Sequence, residues 1–94
     1  MSLQLLISRK FYEKLNRQVK YIAKDKPSAA VKFRKNVLQE ITKIPDRMRS
    51  HKKCDFFDDQ NIRELIYKGY RIVFEIRENE IVVFGFHKWE DELR

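Results

Sequence analysis

Asn61-Ile-Arg-Glu-Leu-Ile-Tyr-Lys-Gly-Tyr-Arg-Ile-Val-Phe-Glu-Ile76, followed after Arg77-Glu-Asn79 by Glu80-Ile-Val-Val-Phe-Gly-Phe-His-Lys88, is the stretch whose reading decides the fold. β-branched and aromatic residues alternate through it, and two polar breaks, Lys68-Gly69 and Glu78-Asn79, fall at hairpin spacing. The segment reads as three consecutive strands in an antiparallel meander. A two-residue Lys68-Gly69 turn pairs Tyr67 with Tyr70, sets Ile66 opposite Arg71 and leaves Glu64 diagonal to Arg71.

Upstream, Leu3, Leu5 and Ile7 alternate with Gln4, Leu6 and Ser8, which predicts a short strand that joins the meander. From about Arg9 to Lys24, Phe11, Leu15, Val19 and Ile22 form one apolar stripe flanked by Lys14, Arg17 and Lys20, the pattern of an amphipathic helix. Asp25-Lys26-Pro27 interrupts it, and proline is well placed in the first turn of a second helix. That helix carries Ala30, Phe33, Val37, Ile41 and Ile44 on one side, and Ile44-Pro45 marks its end. Asp46 to Gln60 has no period and reads as a loop with room for a turn of helix. Trp89 to Arg94 reads as a short tail or an extension of the last strand. Together these elements predict an α+β fold: an N-terminal strand, a two-helix hairpin and a C-terminal antiparallel meander.

Ninety-four residues bound the chain to a single domain spanning 1–94. With 43% hydrophobic residues, two glycines and two prolines, it has the apolar content of a folded protein despite 37% charged residues. The one cysteine, Cys54, cannot form an internal disulfide, which fits a reducing cytoplasm. No apolar run approaches the roughly 20 residues that span a bilayer, so a cytoplasmic protein with no membrane partner is expected. The net charge of +7 suits anionic partners, whether nucleic acid or an acidic protein.

On the Tyr70-to-Ile76 strand, Tyr70, Ile72, Phe74 and Ile76 share the face the helices should cover, which places Arg71 on the exposed face. A guanidinium there suits bidentate binding of phosphate or carboxylate, and an ion pair with Glu64 is the structural alternative. His87 ends the last apolar run, with a pKa range suited to proton transfer near neutrality. Its placement depends on parity. A two-residue Glu78-Asn79 turn pairs it with Tyr70 on the helix side, whereas one more residue pairs it with Arg71 on the open side. Lys88 takes the open face if His87 does not. Arg47, Arg49, Lys52, Lys53 and Arg63 form either a positive rim toward a polyanion or an ordinary solvated loop. Phe56, Phe57 and Trp89 either stack on bases or anchor the loop to the core. Cys54 and His51 lack a second pair at zinc spacing, Asp58 and Asp59 read as solvated, and neither a Gly-rich phosphate loop nor a nucleophile elbow is present, so no metal or cofactor is expected.

The Arg-Glu-Leu strand, the Tyr-Arg-Ile-Val-Phe strand and the final strand ending in His-Lys resemble, in order and spacing, the bacterial RelE/ParE toxin superfamily. Lys26-Pro-Ser-Ala-Ala-Val-Lys-Phe and Ile44-Pro45 look like ParE members. The resemblance implies the toxin of a type II toxin–antitoxin pair, often encoded as a plasmid stabilization module. It also implies a growth inhibitor held inactive in a hetero-oligomer by an acidic antitoxin whose disordered segment folds over the basic domain.

Two mechanisms follow from it. A ParE-like member traps DNA gyrase without chemistry of its own. A RelE-like member is a metal-independent, ribosome-dependent mRNA endoribonuclease (mRNA interferase), in which Arg71, His87 and Lys88 would be catalytic. Arg71 matches the arginine of the family's Tyr-Arg strand, and His87 lies where family nucleases place an acid or base and where ParE members also carry histidine. Ile62 and Glu64 stand where RelE members have lysines, and the sequence ends at Arg94 without the helical extension that carries their catalytic tyrosine. Both departures favour the ParE-like reading. A non-toxic member that still binds antitoxin is the third alternative.

Overall fold

A computed structural model describes residues 3–88. Its elements are β1 (Gln4–Ile7), α1 (Arg9–Ala23), α2 (Pro27–Thr42), α3 (Ile44–Arg47), a 3₁₀ turn at Met48–Ser50, β2 (Lys52–Lys53), β3 (Ile62–Tyr67), β4 (Tyr70–Ile76) and β5 (Glu80–Lys88). The fold is α+β, with a five-stranded mixed sheet in the order β1-β5-β4-β3-β2. β1 runs parallel to β5, and the remaining neighbours are antiparallel. The expected tail and Trp89 lie outside the described residues. No helix among the described residues is long and apolar enough to cross a membrane.

Local chemistry accounts for the element boundaries. Ser8, extended at the N-cap of α1, accepts a hydrogen bond from the Phe11 amide at 3.1 Å, satisfying one of the amides that a helix start leaves open. Lys26 is extended before Pro27, as the steric demand of the ring requires, and the proline occupies the first turn of α2. At Ile44-Pro45 the sequence reading is corrected. The dipeptide does not only close α2; it also opens the one-turn helix α3, where a missing proline amide costs nothing.

One face of the sheet packs against the helices. Phe11 and Leu15 of α1, Val37 and Ile41 of α2, and Ile72 and Phe74 of β4 are fully buried together there. Phe33 departs from the expected core stripe: it is only half-buried and leans on Tyr67 and Tyr70, with ring centroids 6.4 and 5.2 Å away. β2 was not legible as a strand, because two residues carry no period. It pairs Lys52 with Glu64 and Lys53 with Arg63, forming the sheet edge opposite β1.

The turns set the register. Lys68 and Gly69 both have positive φ (47° and 84°), the geometry of a two-residue hairpin, and Tyr67 faces Tyr70 as expected. Glu78-Asn79 is likewise a two-residue turn, closed by the Arg77 amide donating to the Glu80 carbonyl at 2.8 Å. That turn alone would pair Tyr70 with His87. Instead Phe74 faces Val83 while Val73 faces Gly85, so Phe84 is an extra residue in β5 and a bulge shifts the register by one. Beyond the bulge Arg71 faces His87 and Tyr70 faces Lys88.

Gly85 sits directly after the bulge, where a Cβ would lie 2.9 Å from Val73 Cβ and 3.3 Å from His87 Nε2. Gly85→Ala is therefore expected to destabilise by about 1–3 kcal/mol through overpacking. It should also displace the His87 ring, read as a shift of its imidazole resonances. Thermal unfolding identical to the parent, with the resonances unmoved, would contradict this close approach.

Candidate functional site

The sheet face turned away from the helices is partly roofed by the segment from Cys54 to Gln60. Its shape comes from backbone and side-chain turns: Phe57 N–H donates to the Cys54 carbonyl at 3.3 Å, Asn61 N–H to Asp59 Oδ1 at 2.8 Å, and Cys54 N–H to the Ile62 carbonyl at 3.0 Å. Phe57 places its ring edge-on to the bulge residue Phe84 at 5.8 Å, and Phe56 lies over the Arg71 guanidinium at 5.8 Å. These two rings anchor the segment to the sheet, although Phe56 remains 56% exposed.

Arg71 is thereby not exposed. Only 7% of it is accessible, and its Nη1 donates to both carboxylate oxygens of Glu64 at 2.9 and 3.0 Å. Glu64 is 1% accessible and has Lys52 Nζ at 4.0 Å as a second cation. Register alone put Glu64 within reach of Arg71. What the sequence did not disclose is the cover, because the residues that supply it belong to a segment without a period. A buried ion pair is little screened by salt, and breaking it exposes the large cost of an uncompensated charge.

His87 stands across from Arg71 on this same face, half-buried. Lys88 does not join them. One residue further along β5 it points to the helix side, where its Nζ sits 5.2 Å from the centre of the Tyr21 ring of α1. The bulge thus pairs Arg71 with His87 and Tyr70 with Lys88, so that Lys88 takes the other face of the sheet. Lys88 also lines a surface cleft of about 330 Å³ with Lys14, Arg17, Gln18, Phe86 and His87. Lys14 and Arg17 had stood out only as flanks of an apolar stripe. Their spacing along α1 was visible, but their meeting with Lys88 required the bulge.

The anticipated positive rim is largely committed to structure. Arg63 donates from Nε to the Gln60 carbonyl at 2.8 Å and from Nη1 to the His51 carbonyl at 3.0 Å, clamping both ends of the loop. Arg49 donates to Asn61 Oδ1 at 3.2 Å. Lys52 pairs with Asp55 at 3.3 Å and Lys53 with Asp58 at 3.8 Å, both on the exposed edge strand. Arg47 is exposed on α3. Among the described residues no three His, Cys, Asp or Glu side chains gather as a metal ion would require.

His51 lies beneath the rim, edge-on to the buried Phe74 ring at 5.5 Å. Burial lowers its pKa below the usual 6.5, the nearby Arg47 lowers it further, and Glu40 opposes them. The neutral imidazole is favoured in the fold, so the unfolded chain binds the proton more readily. Stability should be fully present above the unfolded pKa near 6.5 and fall as pH drops from there through the lowered folded value. Urea midpoints measured across that window should show this decline, and His51→Gln should flatten it. An unchanged slope in the variant would contradict the assignment.

Against known proteins, the family model described as the ParE toxin of the type II toxin–antitoxin system parDE matches residues 5–88. An antiparallel meander flanked by a parallel N-terminal strand and a helical hairpin is thus the architecture of a toxin of this class. The chain belongs to the ParE toxin family. A solved chain from the chromosomal ParDE toxin–antitoxin system of P. aeruginosa superposes with a TM-score of 0.77 over 93% of this chain and 96% of that one. The two are 14% identical, a likeness of fold alone. No curated protein matches the sequence.

Proposed function

We propose that this chain is the growth-inhibiting toxin of a type II pair, neutralised in a hetero-oligomer by an acidic antitoxin, and that it acts in the cytoplasm by inhibiting DNA gyrase rather than by cutting RNA. The observation that carries the choice of mechanism is the engagement of Arg71 by Glu64 beneath Phe56, with Lys88 on the opposite side of β5. A nuclease of the related branch needs its cations converged on one phosphate, in line with attack by the RNA 2′-hydroxyl. Here Arg71 would first have to give up a buried carboxylate. A surface that binds and traps its target needs no such rearrangement. Membership in the ParE family supports the same reading.

One observation favours the ribosome-dependent mRNA endoribonuclease as a second reading. Arg71 and His87 are cross-strand partners, the pairing that a cation and a proton-transfer group would need. Inducible expression, alone and together with a small acidic protein if the adjacent gene encodes one, tests the toxin claim common to both. Growth should arrest in the first case and recover in the second. Normal growth under strong expression of folded protein would contradict toxicity and leave only an antitoxin-binding member.

A further inference from the structure

Helix α1 and its C-cap Lys24 carry more cations than helix stability accounts for. Lys10, Lys14, Arg17, Tyr21 and Lys24 follow at intervals of four, three, four and three, so they share one stripe, away from the buried side of Phe11 and Leu15. Arg9 and Lys10 occupy the first turn, which holds no acidic residue, although the positive end of the helix dipole disfavours cations there. Between Arg9 and Lys24 the only acidic residue is Glu13.

Lys88 adds a cation from a second element, held over the Tyr21 ring and sharing the cleft with Lys14 and Arg17. Elsewhere several cations are engaged: Lys43, Lys52, Lys53, Arg71 and Arg77 each lie within 4.0 Å of a carboxylate, and Arg34, Arg49 and Arg63 donate to amide or carbonyl oxygens. Among the described residues, Lys10, Lys14, Arg17, Lys24 and Lys88 have no such ion pair.

We infer that this stripe is a contact surface for the sugar–phosphate backbone of duplex DNA, with Lys14, Arg17 and Lys88 at its centre and Lys10 and Lys24 at its ends. From Lys10 to Lys24 it runs about 21 Å along a straight helix, with a cation on nearly every turn, which suits a rigid rod of repeated charge better than a single phosphate. A single strand would need aromatic faces on which to stack bases. Tyr21, 63% exposed, has Lys88 over its ring and is not an open platform. An acidic peptide folding onto the protein would need apolar anchoring, whereas this cleft offers Phe86 among polar groups. DNA contact of this kind goes beyond gyrase inhibition and does not depend on gyrase being the target.

Fluorescence anisotropy of the full chain with a labelled duplex of mixed sequence tests it. The association constant should fall with salt with a log–log slope of about −4 to −5, as for roughly five neutralised phosphates. Lys14→Gln/Arg17→Gln should make that slope shallower by roughly 2, with helical circular dichroism unchanged. Lys43→Gln/Arg77→Gln, which removes two cations elsewhere, should keep the parental slope. Absent or salt-insensitive binding, an unchanged slope in the α1 double variant, or tighter binding of the matching single strand would overturn the inference. Polyglutamate bound as tightly as DNA, and lost in the same variant, would overturn it in favour of an acidic peptide.

Discussion

Glu64→Ala is expected to destabilise the protein by about 3–5 kcal/mol, the usual cost of removing one partner from a buried ion pair. The loss comes less from the missing attraction than from Arg71, which is 7% accessible in the parent and would be left beneath Phe56 with its carboxylate gone. Lys52, 4.0 Å from Glu64, would lose an interaction as well. Replacing both partners with apolar side chains should behave differently. Glu64→Leu/Arg71→Met removes both desolvated charges, and such replacements are often neutral or stabilising by about 1–4 kcal/mol. Urea unfolding of the single and double variants reads the difference directly. A single variant within about 0.5 kcal/mol of the parent, the behaviour of an exposed surface charge, would show that the roof over Arg71 is not closed in solution. The double variant also separates structure from function: if it folds and still inhibits gyrase, Arg71 acts through the fold alone.

Phe74→Ala should cost roughly 3–5 kcal/mol, because it empties a fully buried site at the centre of β4, beneath His51 and among the helix-facing residues. Phe33→Ala should cost about half of that, since its ring is half-buried between Tyr67 and Tyr70 and solvent can fill part of the space it leaves. The order of the two costs, measured by denaturant unfolding, tests whether α2 presents its Val37 and Ile41 side to the sheet, with Phe33 at the margin. A larger loss at Phe33 would mean that the helix is rotated relative to this packing.

Much of this arrangement is legible in the residues. The meander, its two-residue turns and the diagonal from Glu64 to Arg71 follow from alternation and turn chemistry, because a strand period of two leaves few registers open. Parity at the end of β5 was not legible from turn length. The turn at Glu78-Asn79 has two residues, yet Arg71 faces His87, because Phe84 bulges. Gly85 was the available signal: an isolated glycine within a strand often marks a bulge or a close backbone approach, and here it marks both. The burial of Arg71 had no local signal. It depends on Phe56 and Phe57 crossing the sheet from an aperiodic segment, and tertiary contacts of that kind leave no pattern in sequence. For the same reason sequence left Lys52 and Lys53 open between a positive rim and a solvated loop, and did not show that each has a carboxylate within 4.0 Å.

The most direct test of the proposed mechanism is a gyrase supercoiling assay with purified protein and relaxed plasmid, run beside a translation reaction in which messenger integrity is followed. Supercoiling should be inhibited, or gyrase–DNA cleavage complexes should accumulate, while messenger RNA on translating ribosomes stays intact at first. Prompt cleavage of ribosome-bound messenger with gyrase unaffected would contradict gyrase inhibition, and would assign Arg71 and His87 to RNA cleavage instead.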